Sequence, residues 1–271
     1  MIAKSAEEIK LLKKAGNIVY QTHQYLKPYL KVGITTKELD SLAEKYIRNQ
    51  GATPSFKGYG GFPASICTSI NDAVVHGIPN NYKLQDGDII SIDIGACYKG
   101  YHGDSAWTYA IGKIDAATNH LLDHTLESLY KGLEQVKAGN HVGDIGYAIE
   151  KYAKDHQLSV IRELIGHGVG KNIHEKPDVP NYGNPHTGPE LVPGMVIAIE
   201  PMLNLGKRHV VILDDEWTIV TRDGSLSAHY EHTVLVTDSG YLILTGEWLN
   251  GRQKYYWSRW QSIRSIKRWY I

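Results

Sequence analysis

Several strand-like apolar runs in this chain carry a carboxylate where a buried strand should carry none. Asp93 interrupts Asp88-Ile89-Ile90-Ser91-Ile92-Asp93-Ile94-Gly95, Asp104 lies in Tyr101-His102-Gly103-Asp104-Ser105-Ala106-Trp107, and Glu200 closes Met195-Val196-Ile197-Ala198-Ile199-Glu200 just before Pro201. An isolated ionised carboxylate costs more to desolvate than a marginally stable fold can lose, so these groups must meet hydrogen-bond donors or a cation. Two more residues join them. His167 is enclosed by glycines in Gly166-His167-Gly168-Val169-Gly170, and Glu231 opens the run Glu231-His232-Thr233-Val234-Leu235-Val236.

The chain of 271 residues, 42% hydrophobic, can bury one large core or two small ones. Lys+Arg and Asp+Glu both total 29, so the chain as a whole has no electrostatic case for binding nucleic acid or anionic lipid. The charged start Met1-Ile2-Ala3-Lys4-Ser5-Ala6-Glu7-Glu8 lacks the apolar stretch of a secretory signal. No run approaches the roughly 18 apolar residues of a membrane span, and a cytoplasmic protein is expected. Cys67 and Cys97 have no CxxC spacing, which argues against a disulfide framework and a thiolate zinc site.

Ser5-Ala6-Glu7-Glu8 has the form of a capping box ahead of Ile9, Leu12, Ala15, Ile18 and Val19 at helical spacing, which predicts a helix over about 6–26. A second box, Thr35-Thr36-Lys37-Glu38, opens a helix that Gly51 ends. Strands are expected over 65–70, 88–98 and 101–111, and then helices over 115–136 and 142–156. The order helix, helix, strands thus occurs twice. Gly33, Leu39, Ala43 and Glu44-Lys45-Tyr46 align at a shift of 106 with Gly139, Ile145, Ile149 and Glu150-Lys151-Tyr152. This suggests an internal duplication, with halves of about 1–112 and 113–247 and a site where their sheets meet.

Between Asp93 and Asp104 the segment Ala96-Cys97-Tyr98-Lys99-Gly100-Tyr101 reads as a hairpin turning at Tyr98-Lys99 or Lys99-Gly100. Both turns put the two aspartates on one face, directly opposed in the first case and diagonal in the second. Two ionised carboxylates about 5 Å apart repel by roughly 3 kcal/mol at an effective dielectric of about 20. A lone pair of this kind is compatible with two solvated turn residues, with a dyad sharing a proton, or with a divalent cation. The wider set of four carboxylates and one imidazole suits hard or borderline divalent ions, and four negative charges roughly offset two dications.

Together with His76 in Asn71-Asp72-Ala73-Val74-Val75-His76-Gly77-Ile78-Pro79, His174, and the Glu200-Pro201 pair, these motifs resemble type I methionine aminopeptidases in their short bacterial form over about residues 1–247. The resemblance implies an α+β pita-bread fold with two internally related αβ halves. It also implies two divalent ions (Co, Mn, Fe or Zn) held by Asp93, Asp104, His167, Glu200 and Glu231, with Asp104 and Glu231 as bridges. Glu200 would be the proton acceptor, and His174 and His76 would contact substrate. Tyr59, Phe62, Cys67 and Trp217 would line the first-residue pocket, with Phe56 and Ile173 nearby. Removal of initiator methionine from nascent polypeptide N-termini when the next residue is small follows from the same likeness, and a monomer is expected. A proline-specific pita-bread peptidase shares the five ligands but generally carries an extra N-terminal domain. An inactive translation-associated binding module would have lost ligands.

Residues 248–271 extend past the usual family end with Arg252, Lys254, Arg259, Arg264, Lys267 and Arg268, no acid, and interleaved Trp and Tyr. Tyr256, Trp260, Ile263, Ile266 and Tyr270 approximate a helical stripe, so a basic amphipathic helix suited to ribosomal RNA or an anionic membrane is one expectation. A tail packed on its own domain or disordered is the other.

Overall fold

The structure, a computed structural model, describes residues 5–246 and the backbone of two short paired strands, Trp248–Leu249 and Arg252–Gln253. The expectation of a helix in the tail therefore lies outside the described residues. Helix α1 (Ala6–Leu26) begins where the Ser5 side chain accepts the Glu8 backbone N–H. Helix α2 (Thr36–Asn49) carries the full reciprocal box, with Glu38 N–H on Thr35 Oγ1 at 3.2 Å and Thr35 N–H on Glu38 Oε2 at 2.8 Å.

Short strands β1 (Thr53–Pro54), β2 (Cys67–Ile70) and β3 (Ala73–Val75) precede the long hairpin β4 (Ile89–Tyr98) and β5 (Tyr101–Ala110). Strand β4 is the spine of the first sheet, pairing with β5 on one edge and with β2 and β1 along the other. Lys99 and Gly100 both have positive φ, 49° and 80°, the pattern of a two-residue type I′ turn. Tyr98 consequently faces Tyr101, Asp93 faces Ala106 and Asp104 faces Gly95. The aspartates are diagonal neighbours on one face.

Helix α3 (Ala116–Leu133) is capped by the Asp115 carboxylate on Thr118 N–H at 2.7 Å. It stops short of the expected 136, because Gln135 and Val136 turn inward to bond Gly132 and Leu133 three residues back. Helix α4 (Val142–Asp155) follows. The strands after it are β6 (Ser159–Val160), β7 (Gly166–Gly168), β8 (Glu175–Val179), β9 (Val196–Ile199), β10 (Met202–Asn204), β11 (Val210–Ile212), β12 (Ile219–Thr221), β13 (Ser227–His229), β14 (His232–Thr237) and β15 (Gly240–Ile243). They form one sheet in the order β15-β14-β9-β7-β8 and a smaller one, β13-β10-β6. A third, β11-β12-β3, joins strands from both ends of the chain, and all pairings are antiparallel.

Two large apolar clusters hold the helices to the sheets. Ile18, Val19, Leu39, Ala43 and Ile47 pack with Ile90, Ile92 and Ile94 of β4. Leu121, Leu129, Ile145 and Ile149 pack with Ile197, Ile199 and Val234. Positions 39 and 43 thus bury themselves as 145 and 149 do. Helix α1 approaches β5 so closely that a Cβ on Gly103 would stand 2.7 Å from the Gly16 backbone nitrogen, and one on Gly16 would stand 2.5 Å from the Leu244 carbonyl oxygen. Only glycines allow that approach, which seats α1 directly on β5 and on the residue that follows β15.

Candidate metal centre

The two sheets meet where β5 runs beside residues 229–233, and side chains stitch the seam. Thr233 Oγ1 donates to the Asp104 carbonyl at 2.7 Å and accepts the Asp104 N–H at 3.0 Å. Ser105 Oγ donates to the Glu231 carbonyl at 2.7 Å, and Glu231 N–H donates to the Ala106 carbonyl at 2.8 Å. Thr108 Oγ1 makes the same two-way contact with His229, 2.8 Å to its carbonyl and 3.0 Å from its N–H. These bonds fix Asp104 and Glu231, remote in sequence, at one depth in the protein.

Glu200 lies just beyond β9 and its carbonyl accepts from Asn181 Nδ2 at 3.0 Å, while His167 occupies the middle of β7. His167 Nδ1 donates to the Gly168 carbonyl at 3.0 Å, since a carbonyl can only accept. That bond places the ring proton on Nδ1 and leaves the Nε2 lone pair facing Glu200 Oε1 at 3.4 Å and Asp104 Oδ2 at 3.8 Å. The Asp93 and Asp104 carboxyls are within hydrogen-bonding reach of one another. Ligand atoms of Asp93, Asp104 and Glu231 lie within 4.8 Å of each other, as do those of His167, Glu200 and Glu231. All five residues singled out in the sequence are therefore brought together.

Electrostatics test whether this set fits a cation. Asp93 Oδ1, Asp104 Oδ1, Glu200 Oε1 and Glu231 Oε1 are all buried and accept no hydrogen bond. Burial pushes Glu200 up to about 7 against the pull of His167, and pushes Asp93 up to about 7, where His229 opposes and Glu200 adds to the rise. Asp104 and Glu231 rise well above the carboxylate range, through burial and then through their acidic neighbours. Burial also lowers His167, which favours the neutral, ligating form of the imidazole. Four carboxylates, each with one unpartnered oxygen, and the Nε2 lone pair of His167 converging in a desolvated site are the donor set of a divalent cation, and the residues fit.

Beside this set, Phe56, Phe62, Cys67 and Ile173 form a buried apolar cluster, with Trp217 packed edge-on against Phe62 at 5.1 Å between centroids. The Asp215 carboxylate accepts the Trp217 backbone N–H at 2.9 Å and so fixes the main chain that carries the ring. Burial, with Asp93 and Asp104 close by, raises the Cys67 thiol well above its ordinary value, so it stays protonated. Tyr59 is placed differently from the other pocket residues. It is exposed, and its hydroxyl meets His174 Nδ1 at 2.9 Å. The His174 ring stands 4.2 Å from that of His167. His76, half-buried at φ 58° after β3, is pushed down to about 4 by burial and by His229.

His229, which no motif in the sequence marks as a ligand, also faces the site. It is buried, with an unpartnered Nε2 that lies 3.6 Å from Glu200 Oε2. Its spacing of two from Glu231, the same-face spacing of a strand, was the available signal.

With this geometry in view, the comparisons with known proteins discriminate between readings. A sequence model of metallopeptidase family M24 matches residues 10–238. The chain belongs to metallopeptidase family M24. Within it, the chain is 55% identical over 245 residues to methionine aminopeptidase 1 of Bacillus subtilis (strain 168), covering 90% of this chain and 99% of that protein. Its fold is that of the methionine aminopeptidase of Rickettsia prowazekii, with a TM-score of 0.89, 40% identity, and coverage of 90% of this chain and 100% of that one. An Xaa-Pro dipeptidase of Bacillus anthracis, another protein of similar fold, gives a TM-score of 0.73 at 25% identity and is covered over only 62% of its length, against 91% of this chain. The M24 chain described here is thus an α+β pita-bread metallopeptidase, and its family membership implies use of divalent metal.

Proposed function

We propose that this chain is a metal-dependent methionine aminopeptidase that removes the initiator methionine from nascent polypeptides whose second residue is small. The observation that carries the reading is the convergence of Asp93, Asp104, His167, Glu200 and Glu231 beside an apolar pocket, in a chain 55% identical to a methionine aminopeptidase. Those five residues would hold two divalent ions, drawn from Co, Mn, Fe or Zn. The ions would supply positive charge that brings the pKa of a water toward neutrality and polarises the scissile carbonyl.

The chain's own groups do the rest. Phe62, Cys67 and Trp217 offer an unbranched thioether an apolar lining, with Phe56 and Ile173 behind. Tyr59, donating to His174 Nδ1, leaves the His174 proton on Nε2, where it can bond an oxyanion developing on the scissile carbonyl. His76, held neutral, bonds the substrate backbone. Glu200 accepts the proton of the attacking water and returns it to the leaving amine.

Residues 1–247 form the catalytic unit in this reading, with related halves at about 1–112 and 113–247 and the basic segment 248–271 as an extension that could reach the ribosome. A cytoplasmic monomer acting on nascent N-termini is the corresponding setting. No helix among the described residues is long and apolar enough to cross a membrane.

Metal-supplemented protein should cleave a Met-Ala-Ser peptide between its first two residues and leave an Ala-Pro-Phe peptide intact. Cleavage of the second peptide alone would make the chain a proline peptidase, and cleavage of neither would make it an inactive binding module.

A further inference from the structure

Where α4 begins, the loop at 184–190 folds across it, and three ligand-bearing side chains meet outside the carboxylate centre. Ligand atoms of His141, Asp144 and His186 lie within 4.8 Å of one another. Asp144 is the pivot. Its Oδ2 accepts the His141 backbone N–H at 2.7 Å and its Oδ1 accepts the His186 backbone N–H at 2.9 Å. Each bond brings the imidazole of the same residue beside the carboxylate, with His141 Nδ1 at 3.9 Å from Oδ2 and His186 Nδ1 at 3.8 Å from Oδ1. Every carboxylate oxygen has a second lone pair, so both remain able to bind an ion.

His141 Nδ1 is buried and, although the Asp144 backbone N–H faces it in the cap, has no hydrogen-bond partner, a state that is unfavourable unless something else occupies the nitrogen. The scaffold around it is fixed. Val142 N–H donates to the Pro189 carbonyl and Gly143 N–H to the Thr187 carbonyl, both at 2.9 Å, and His141 bridges to Glu190. Gly143 permits this crossing, because a Cβ there would run into the Asn184 and Thr187 carbonyl oxygens. Asp144 is buried, and the two backbone N–H groups that it accepts hold its carboxylate in place between the two imidazoles.

We propose that His141 Nδ1, the Asp144 carboxylate and His186 Nδ1 form a metal site separate from the catalytic centre, selective for a borderline divalent ion of the zinc class. Two imidazoles and one carboxylate are the donors that zinc prefers over magnesium or calcium, with solvent as the fourth ligand. Ligands on a tetrahedral zinc with bonds of about 2.0–2.1 Å stand about 3.4 Å apart. The nitrogen-to-oxygen separations here, 3.9 Å for His141 and 3.8 Å for His186, must contract by a few tenths of an ångström; the His186 side chain, 84% exposed, can close its own by rotation, and His141, 30% exposed, must close its own by a small turn of its ring. The bound ion ties the 184–190 loop to the start of α4. That loop leads into β9, at whose end Glu200 stands.

Equilibrium dialysis of the full chain against zinc, with ions counted per chain, tests the site in the unaltered protein, in His141→Gln and in His186→Asn. Asparagine tolerates the left-handed backbone of His186, φ 61°. Each variant is expected to bind one ion fewer than the unaltered protein, since the catalytic centre is common to all three. In the unaltered protein zinc should also protect His186 from diethyl pyrocarbonate, read by mass spectrometry. Equal ion counts in the three proteins, or His186 modified equally fast with and without zinc, overturns the proposal.

Discussion

Glu200 is the side chain on which metal binding and proton transfer depend together, and its surroundings show why a near-isostere is informative. Its carbonyl is anchored by Asn181 and its carboxylate lies between His167 and His229, at 3.4 and 3.6 Å. Glu200→Gln keeps that volume and removes the basic oxygen, so kcat on a Met-Ala-Ser peptide should fall at least about a hundredfold, the usual scale of a general base. An unchanged kcat in metal-saturated protein would exclude Glu200 as the proton acceptor. The tautomer at His167 is equally well determined. The Gly168 carbonyl takes the Nδ1 proton, and the histidine enters the site with its lone pair already aimed at the carboxylates.

At the scale of elements, the hairpin β4–β5 and the helix α1 behind it decide where Asp93 and Asp104 stand. The turn at Lys99-Gly100 sets the diagonal register, and the backbone contact between Gly16 and Gly103 sets how deep β5 lies. Gly103→Ala forces a methyl group into the α1 backbone, an overpacking that should cost about 1–3 kcal/mol or more. Because Asp104 is the next residue, metal affinity should weaken together with the fall in Tm. A variant with the parental Tm and ion count would show that α1 and β5 can separate at no cost, contrary to the packing described. The pocket depends on elements in the same way. Trp217, just before β12, packs edge-on against Phe62, and β12 itself is paired with β3.

For the whole molecule, the buried carboxylates make stability depend on metal and pH together. Without cations Asp93 and Glu200 sit at about 7 and Asp104 and Glu231 higher, all above the ordinary carboxyl range near 4. A raised carboxyl pKa stabilises the fold below the unfolded value and is lost as pH rises through the folded one. Chelated protein should therefore lose more Tm relative to metal-loaded protein at about pH 8 than at about pH 5.5. Buried His23, lowered to about 4 with its ring nitrogens bonded to Ser105 and Tyr109, acts in the opposite sense. Its contribution is complete above about 6.5 and lost as pH falls toward 4, but it affects both preparations and cancels in the difference. A Tm gap that is equal at the two pH values, or wider at pH 5.5, would mean that the four carboxylates do not carry unpaired charge in the metal-free protein.

Caps, the starts of helices and strand parity were legible from the residues alone because each is settled within a few positions. Ser5 and Thr35 start their helices through contacts three residues away, and a two-residue turn puts Asp93 and Asp104 on one face in either register. That acids in apolar strands demand hydrogen-bond donors or a cation also follows from solvation alone, and the order of the motifs along the chain pointed to the family. Only the tertiary structure decided which turn closed the hairpin, brought His229 to Glu200 and turned Tyr59 onto His174. It also placed His186 against Asp144, a pairing with no counterpart in the linear order. The physical reason is the range of the forces: local hydrogen bonds and side-chain alternation act between near neighbours, whereas the seam joining Asp104 to Thr233 exists only after two distant sheets have buried their apolar faces against their own helices.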